Sequence, residues 1–336
     1  MKLWFADENL IIESVSKQKT AFEISFGNWR DVTRDSMLID MGNQRQIVRA
    51  DSVNMSNKGI VWNHRNANYP SSLVSELKKQ SISPESINNP TKNNVFGGVI
   101  VCNRALTPLA KTPVNWQCWK GAAWSMTTAA EKSHTIVVAL HAGKKQQPEK
   151  WLSAAKELLK PSTLQSVAVK EAKPWNEFWS RSYIHINTAR SNTDSAWIVG
   201  RNYQLFRYML ACNQNGQLPL LFNGGIFTVD NFNKVTGNNG DTNRKRIDPS
   251  SPDLRHWLVC GFMAQNQRWL GWPIILAGDT DLLEPSNAFY RMHATSAASR
   301  AKGLGAQGVV YPEAIQAWGL TWNPTPTGQC KLMLLL

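Results

Sequence analysis

The periodicity of the chain changes near residue 145, and this change constrains the fold more than any other feature. Before it, Phe22, Ile24 and Phe26 alternate with Glu23 and Ser25, the period-two pattern of a half-buried strand. Short β-branched runs follow at Ile47-Val48, Val99-Ile100-Val101 and Thr135-Ile136-Val137-Val138. Ser- and Asn-rich turns such as Ser81-Ile82-Ser83-Pro84 and Asn88-Asn89-Pro90 lie between them. Short strands joined in this way favour a sandwich over a parallel α/β sheet. Ala142 to Lys150 reads as a polar linker, centred on Gly143 to Pro148. After it, Trp151, Leu152, Ala155, Leu158 and Leu159 recur at helical spacing, and Pro161 is expected to stop that helix. Trp175-Asn176-Glu177-Phe178-Trp179 follows, with Tyr183, Ile184 and Ile186 leading out of it. Another helix is predicted over about 196–213, where Ile198, Leu205, Phe206, Met209 and Leu210 form an apolar stripe. A further one is predicted over about 257–270, with Pro273 turning the chain soon after, and another over 286–303. The expected fold class is α+β multidomain. An N-terminal β-sandwich over 1–145 is followed by a helical domain over 146–336.

With 336 residues the chain is long enough for two domains and a sizeable core. Hydrophobic residues make up 42% and charged residues 18%, a globular rather than a disordered balance. The net charge is +13, but the basic residues are scattered, and only Asn243-Arg244-Lys245-Arg246 forms a short cluster. A nucleic-acid partner, which would need that charge gathered on one face, is therefore not expected. Acidic glycans remain open as partners. The five cysteines show no CxxC spacing, which argues against a zinc ribbon or a thioredoxin-type site. Cys212 and Cys260 lie in apolar runs and read as buried thiols. No stretch of about 18 apolar residues is present, so no membrane span is expected. The start is too polar for an apolar targeting core. No phosphate-binding loop, GxSxG elbow or HExxH occurs, and the histidines are dispersed. Neither a cofactor nor a metal is expected.

Candidate chemistry concentrates between Asp253 and Leu320. Tryptophans, amides and one carboxyl group sit where helices give way to loops, a mixture suited to a sugar ring with its apolar face and polar edge. Asn266, with Phe262, Trp269 and Pro273 on one helical face, could orient water or a hydroxyl group. It could equally be an amide hydrogen-bonded between helices. Glu313, in Tyr311-Pro312-Glu313, is a carboxyl group in an aromatic setting that could serve as a general acid. It also reads as an ordinary first-turn glutamate. Trp257, Trp318 and Trp322 are the candidate ring-stacking residues, and His256 is the histidine nearest to them in sequence. The polar segment from about 229 to 252, which contains Asp230, reads as a binding loop or lid. Asp241-Thr242-Asn243 does not complete a calcium loop.

The Asn266–Pro273 and Gly308–Gly319 segments resemble those of bacterial proteins with a β-sandwich followed by a six-hairpin (α/α)6 toroid. Many of these carry a domain-of-unknown-function label. More distantly the chain is similar to the inverting α-L-fucosidases of glycoside hydrolase family 95. The resemblance covers most of Trp175 to Trp322 and, more weakly, Phe96 to His141. Those fucosidases carry two asparagines, spaced one apart, before an aromatic-Trp-Pro ending. Anchored on Trp272-Pro273, Asn266 falls on the second asparagine and Ala264 on the first. A later family segment ends in a substrate-binding His, Asp and Trp. Trp318 matches the Trp, Glu313 stands near the histidine and Gln316 at the aspartate.

The resemblance implies hydrolysis of a glycosidic bond in an oligo- or polysaccharide, with inversion. Glu313 and Asn266 are the expected catalytic residues. Trp318, Gln316, His256, Trp257 and Asp230 are the expected substrate contacts. The alternative is a carbohydrate-binding protein without catalysis. A full toroid takes on the order of 250 residues, more than follow Lys150. The chain is therefore expected to be an inactive, incomplete form of a longer parent that is periplasmic or secreted.

Overall fold

The computed structural model describes residues 1–6, 9–38, 44–66, 74, 77, 87–90, 92–116, 119–188, 193–220, 262–312, 314–320 and 332–333. The chain divides into two units, one of Met1–Tyr69, Thr91–Pro174 and Asn231–Leu254, the other of Pro70–Pro90, Trp175–Asp230 and Arg255–Leu336.

In the first unit the strands are β1 (Lys2–Ala6), β2 (Asn9–Thr20), β3 (Glu23–Asn28), β4 (Arg34–Leu38), β5 (Gln44–Val48) and β6 (Ser52–Ser56). They continue with β7 (Gly59–Arg65), β8 (Asn94–Cys102), β9 (Leu106–Pro108), β10 (Thr112–Trp116), β11 (Trp119–Thr128) and β12 (Glu131–Lys144). A six-stranded sheet runs in the order β1-β2-β12-β8-β7-β6, and a second has β10-β11-β3 with β9 also paired to β11. All their pairings are antiparallel. β4 and β5 make a separate ribbon.

The central strands are buried on both faces, which explains why β8 and β12 read as continuous apolar runs. Val95, Val99, Val101, Val137 and Ala139 face a cluster that includes Trp151, Ala155 and Leu164. These last three come from α1 (Pro148–Glu157) and α2 (Pro161–Arg181). The intervening Ile100 and Ile136 join Ile60, Leu106 and Met126 in a cluster that also holds Ile24, Phe26 and Trp124 from the second sheet. Two sheets and a helical layer thus share one sheet between two cores. Each fully buried branched side chain contributes about 1.5–3 kcal/mol. Contrary to the sequence expectation, Pro161 does not stop a helix. α1 has already ended, and Pro161 opens α2, where its fixed φ suits the first helical position and its missing N–H costs nothing.

The second unit is mainly helical. α2 continues into it past Pro174, which has no amide hydrogen to add to the helical ladder. α3 (Ser195–Ala211) starts where Asp194 accepts a hydrogen bond from the Trp197 amide at 3.0 Å. Then come the two-residue strand β13 (Phe262–Met263) and α4 (Ala264–Leu276). A 3-10 turn at Thr280–Leu283 leads to α5 (Glu284–Met292) and α6 (Ala294–Gly303). β14 (Tyr311–Pro312) and β15 (Ala314–Ile315) follow, and β16 (Leu332–Met333) pairs with β14. The fold is therefore mixed α+β, with antiparallel sheets first and helices after.

The structure departs from several sequence expectations. Phe262 lies in a strand, so it shares no helical face with Asn266. Pro273 sits inside α4, in its last turn, instead of redirecting the chain. The helix expected over 286–303 is two helices, broken at His293 (φ −102°, ψ 9°). Cys212 caps α3 and is exposed. Cys260 lies outside the described residues. Among the described residues, no helix is long and apolar enough to cross a membrane.

Candidate functional site

Two segments far apart in sequence meet in the second unit. β13 pairs antiparallel with β15, with Phe262 opposite Ile315 and Met263 opposite Ala314. So short a ladder cannot hold itself together. It is held by the apolar cluster of Phe262, Phe289, Ala297, Tyr311 and Ile315, with Tyr290 and Met292 packed against it. The Tyr311 hydroxyl donates to the Tyr290 carbonyl at 2.6 Å, with the two rings edge to face at 5.2 Å. α4 begins directly after β13 and Gln316 directly after β15. The pairing therefore joins the first turn of α4 to the turn that follows β15.

Asn266 is the third residue of α4 and is half-buried. Gln267, its neighbour, is the amide that ties the helix to another segment, donating to the Leu220 carbonyl at 2.6 Å. Gln265, Trp269 and Trp272 are exposed. On the other segment, Gln316 is buried, and its backbone closes a turn. The Gln316 amide donates to the Leu320 carbonyl and the Gly319 amide to the Gln316 carbonyl, both at 2.9 Å. Trp318 stands in this turn, half-buried, and its indole Nε1 is buried without a hydrogen-bond partner among the described residues. The other candidates, Glu313, His256, Trp257 and Asp230, lie outside the described residues, as does Trp322.

His293 was not singled out in the sequence, yet it packs against this turn. Its ring is buried, with Nε2 3.1 Å from the Ala317 carbonyl. Burial pushes the imidazole pKa down, and the Ala317 hydrogen bond offsets that only in part. Only its position at the α5–α6 break marks it out, and that break is not legible in the residues themselves.

A second feature with no signature in the sequence is a buried ion pair. Arg207 donates through Nε and Nη2 to the two carboxylate oxygens of Asp279 at 2.8 and 2.9 Å. Arg207 also donates to the Ser182 carbonyl and, at 3.1 Å, to the Phe178 carbonyl. Arg181 reaches Asp279 at 3.4 Å and binds Asp281 at 2.6 Å, holding the Asp281 carboxyl below the usual carboxylate range. With both oxygens engaged, Asp279 is suited to pinning α2 and α3 to the turn before α5, not to proton transfer. A cavity of about 300 Å³ opens beside α3, lined by Trp197, Arg201 and Gln204 among others, and by none of the sequence-derived candidates. Among the described residues, no group of three or more His, Cys, Asp or Glu is set to hold a metal ion.

An antiparallel sheet domain followed along the chain by helices defines the class of protein. Residues 1–184 match the N-terminal profile of the domain of unknown function DUF5703, and since this is more than half of the chain, the protein belongs to that family. No curated protein matches it. One solved structure, from the human microbiome and bearing the provisional name kojibiose phosphorylase, aligns with 93% of this chain at 14% identity and a TM-score of 0.40. The chain spans 34% of that protein's length. A likeness this slight carries no argument about activity.

Proposed function

We propose that this chain is part of a carbohydrate-active, glycosidase-like protein, and that the joined segments around Asn266 and Trp318 contact a saccharide. One observation carries the reading. The β13–β15 pairing unites the two segments on which the resemblance to six-hairpin glycosidases rests. In its finer form the proposal gives the helical domain an (α/α)6 design and the reaction as glycosidic hydrolysis with inversion. Glu313 then supplies a carboxyl group, Asn266 orients water or a sugar hydroxyl, and Trp318 stacks on the ring. Gln316, His256, Trp257 and Asp230 complete the substrate contacts. Inversion requires a second carboxyl group roughly 6.5–9.5 Å from the first. Asp279 is not offered for that role, because Arg207 occupies both of its oxygens.

A second reading, saccharide binding without catalysis, is favoured by Ala264, which stands where the resembling fucosidases carry the first asparagine of their pair. The test is calorimetric titration with neutral and acidic oligosaccharides, alongside turnover of aryl glycosides. Saccharide binding weakened at least tenfold by Trp318→Ala is the expected result. Turnover abolished by Glu313→Gln supports the enzyme and overturns the expected inactivity of this chain, and binding that depends on Trp318, is unchanged by Glu313→Gln and comes with no turnover supports the second reading. If no saccharide in the panel binds, both readings fall.

A further inference from the structure

We infer that His293 is a positioning residue for Trp318, gripping the backbone on both sides of the indole-bearing residue. The turn that carries Trp318 is closed by the Gly319 amide donating to the Gln316 carbonyl at 2.9 Å, and Gly319 adopts a φ of +84°. Only glycine takes that conformation without strain. The His293 ring meets the turn at two points. Its Nε2 lies 3.1 Å from the carbonyl of Ala317, the residue before Trp318. A carbonyl only accepts, so Nε2 carries the proton in this tautomer. On the other side, a Cβ added to Gly319, the residue after Trp318, would lie 2.3 Å from Nδ1 and 2.7 Å from Cγ. The imidazole therefore fills the space that a side chain at 319 would take.

The ring is itself fixed. It stands edge-on to Phe289, with centroids 4.9 Å apart at 72°, and the His293 amide donates to the Tyr290 carbonyl. Both helices that flank it, α5 and α6, pack into the cluster that seals β13 against β15. The arrangement carries a cost that an apolar residue would avoid: Nδ1 is buried with no hydrogen-bond partner among the described residues. A leucine or methionine would fill the same volume more cheaply but could not hold the Ala317 carbonyl. What the histidine adds is a fixed direction for residues 317–319, and hence for the indole between them. Its consequence for saccharide contact rests on the function proposed above; the grip on the turn does not.

The full chain labelled with 5-fluorotryptophan tests this, with the Trp318 fluorine resonance assigned through Trp318→Phe. His293→Ala is expected to shift or broaden that resonance while the other tryptophan resonances stay in place. His293→Gln, whose amide can still donate to Ala317, is expected to restore it at least in part. Gly319→Ala should disturb the same resonance, and adding it to His293→Ala should move the line less than adding it to the wild type, because the ring no longer opposes the new Cβ while the strain of φ +84° remains. An unmoved Trp318 resonance in a folded His293→Ala protein would overturn the inference. So would a shift of all tryptophan resonances together, which marks a general structural role. If His293→Ala fails to fold, Gly319→Ala and His293→Gln carry the same comparison. Saccharide titration separates the two proposals. A wild-type chain that binds no sugar while the Trp318 resonance responds as stated sinks the proposed function alone. Trp318-dependent sugar binding that is indifferent to His293→Ala and His293→Gln sinks this inference alone.

Discussion

Asp51 illustrates how one buried carboxylate can hold separate strands. Its side chain is 2% exposed, and it receives Arg30 Nε at 2.7 Å, Asn28 Nδ2 at 2.9 Å and His64 Nδ1 at 2.7 Å. Asn28 ends β3, Asp51 precedes β6 and His64 lies on β7, so the cluster ties the second sheet to the first. Burial alone would raise the Asp51 pKa, but the hydrogen bonds from His64 and Arg30 outweigh it, and the net shift is downward. A carboxyl group whose folded pKa is depressed stabilises the fold above its ordinary value and loses that contribution as pH falls through the folded value. Asp51→Asn should therefore cost on the order of 1–3 kcal/mol at neutral pH, since it removes the charge that the hydrogen bonds from Arg30, Asn28 and His64 converge on. Urea unfolding as a function of pH checks this. The gap between wild type and variant should close on acidification below about pH 4, the ordinary carboxylate range, and a gap independent of pH would refute the assignment. None of this could be read from the sequence, where Asn28, Arg30, Asp51 and His64 stand apart with no shared pattern.

At the scale of elements, period-two alternation revealed the strands that have one face in the core, and apolar runs marked those with two. β8 shows what a run does not reveal. Gly97 and Gly98 interrupt it because the neighbouring strands need the space: a Cβ at Gly98 would lie 2.5 Å from the Ala139 carbonyl and 2.7 Å from the Trp62 ring. Gly98→Ala should therefore destabilise the first unit by about 1–3 kcal/mol, the cost of overpacking a filled core. Chemical denaturation followed by circular dichroism measures it, and a neutral substitution would mean that Trp62 does not pack as described. Helix limits were less legible. Proline forbids an amide donor but not a helix, so Pro161 could begin one and Pro273 could sit in the last turn of another. At the break, His293 packs against the turn after β15, a contact between residues distant in sequence.

Over the whole molecule, a net charge of +13 opposes an exposed apolar face on α4. Trp269 and Trp272 are about half exposed and Leu276 is 88% exposed. Charge repulsion keeps chains apart at low salt, and at about 1 M salt the Debye length falls to roughly 3 Å, leaving apolar association unopposed. Dynamic light scattering should show self-association that grows with sodium chloride, and Trp272→Lys with Leu276→Lys should suppress it. Association that instead weakens with salt would point to charged contacts and away from this face.

The sequence by itself determined the order of strands before helices, part of the apolar residues that build the cores, and the two segments from which a saccharide site is proposed. Those follow from local periodicity and from the chemistry of side chains near one another in the chain. Tertiary structure alone decided that β13 meets β15, that α1 and the start of α2 cover one face of the large sheet, and that Arg207 finds Asp279. It also decided that a histidine remote from Trp318 in sequence lies against its turn. Such pairings join residues far apart in sequence, and their selection depends on how whole elements pack, which no local pattern encodes.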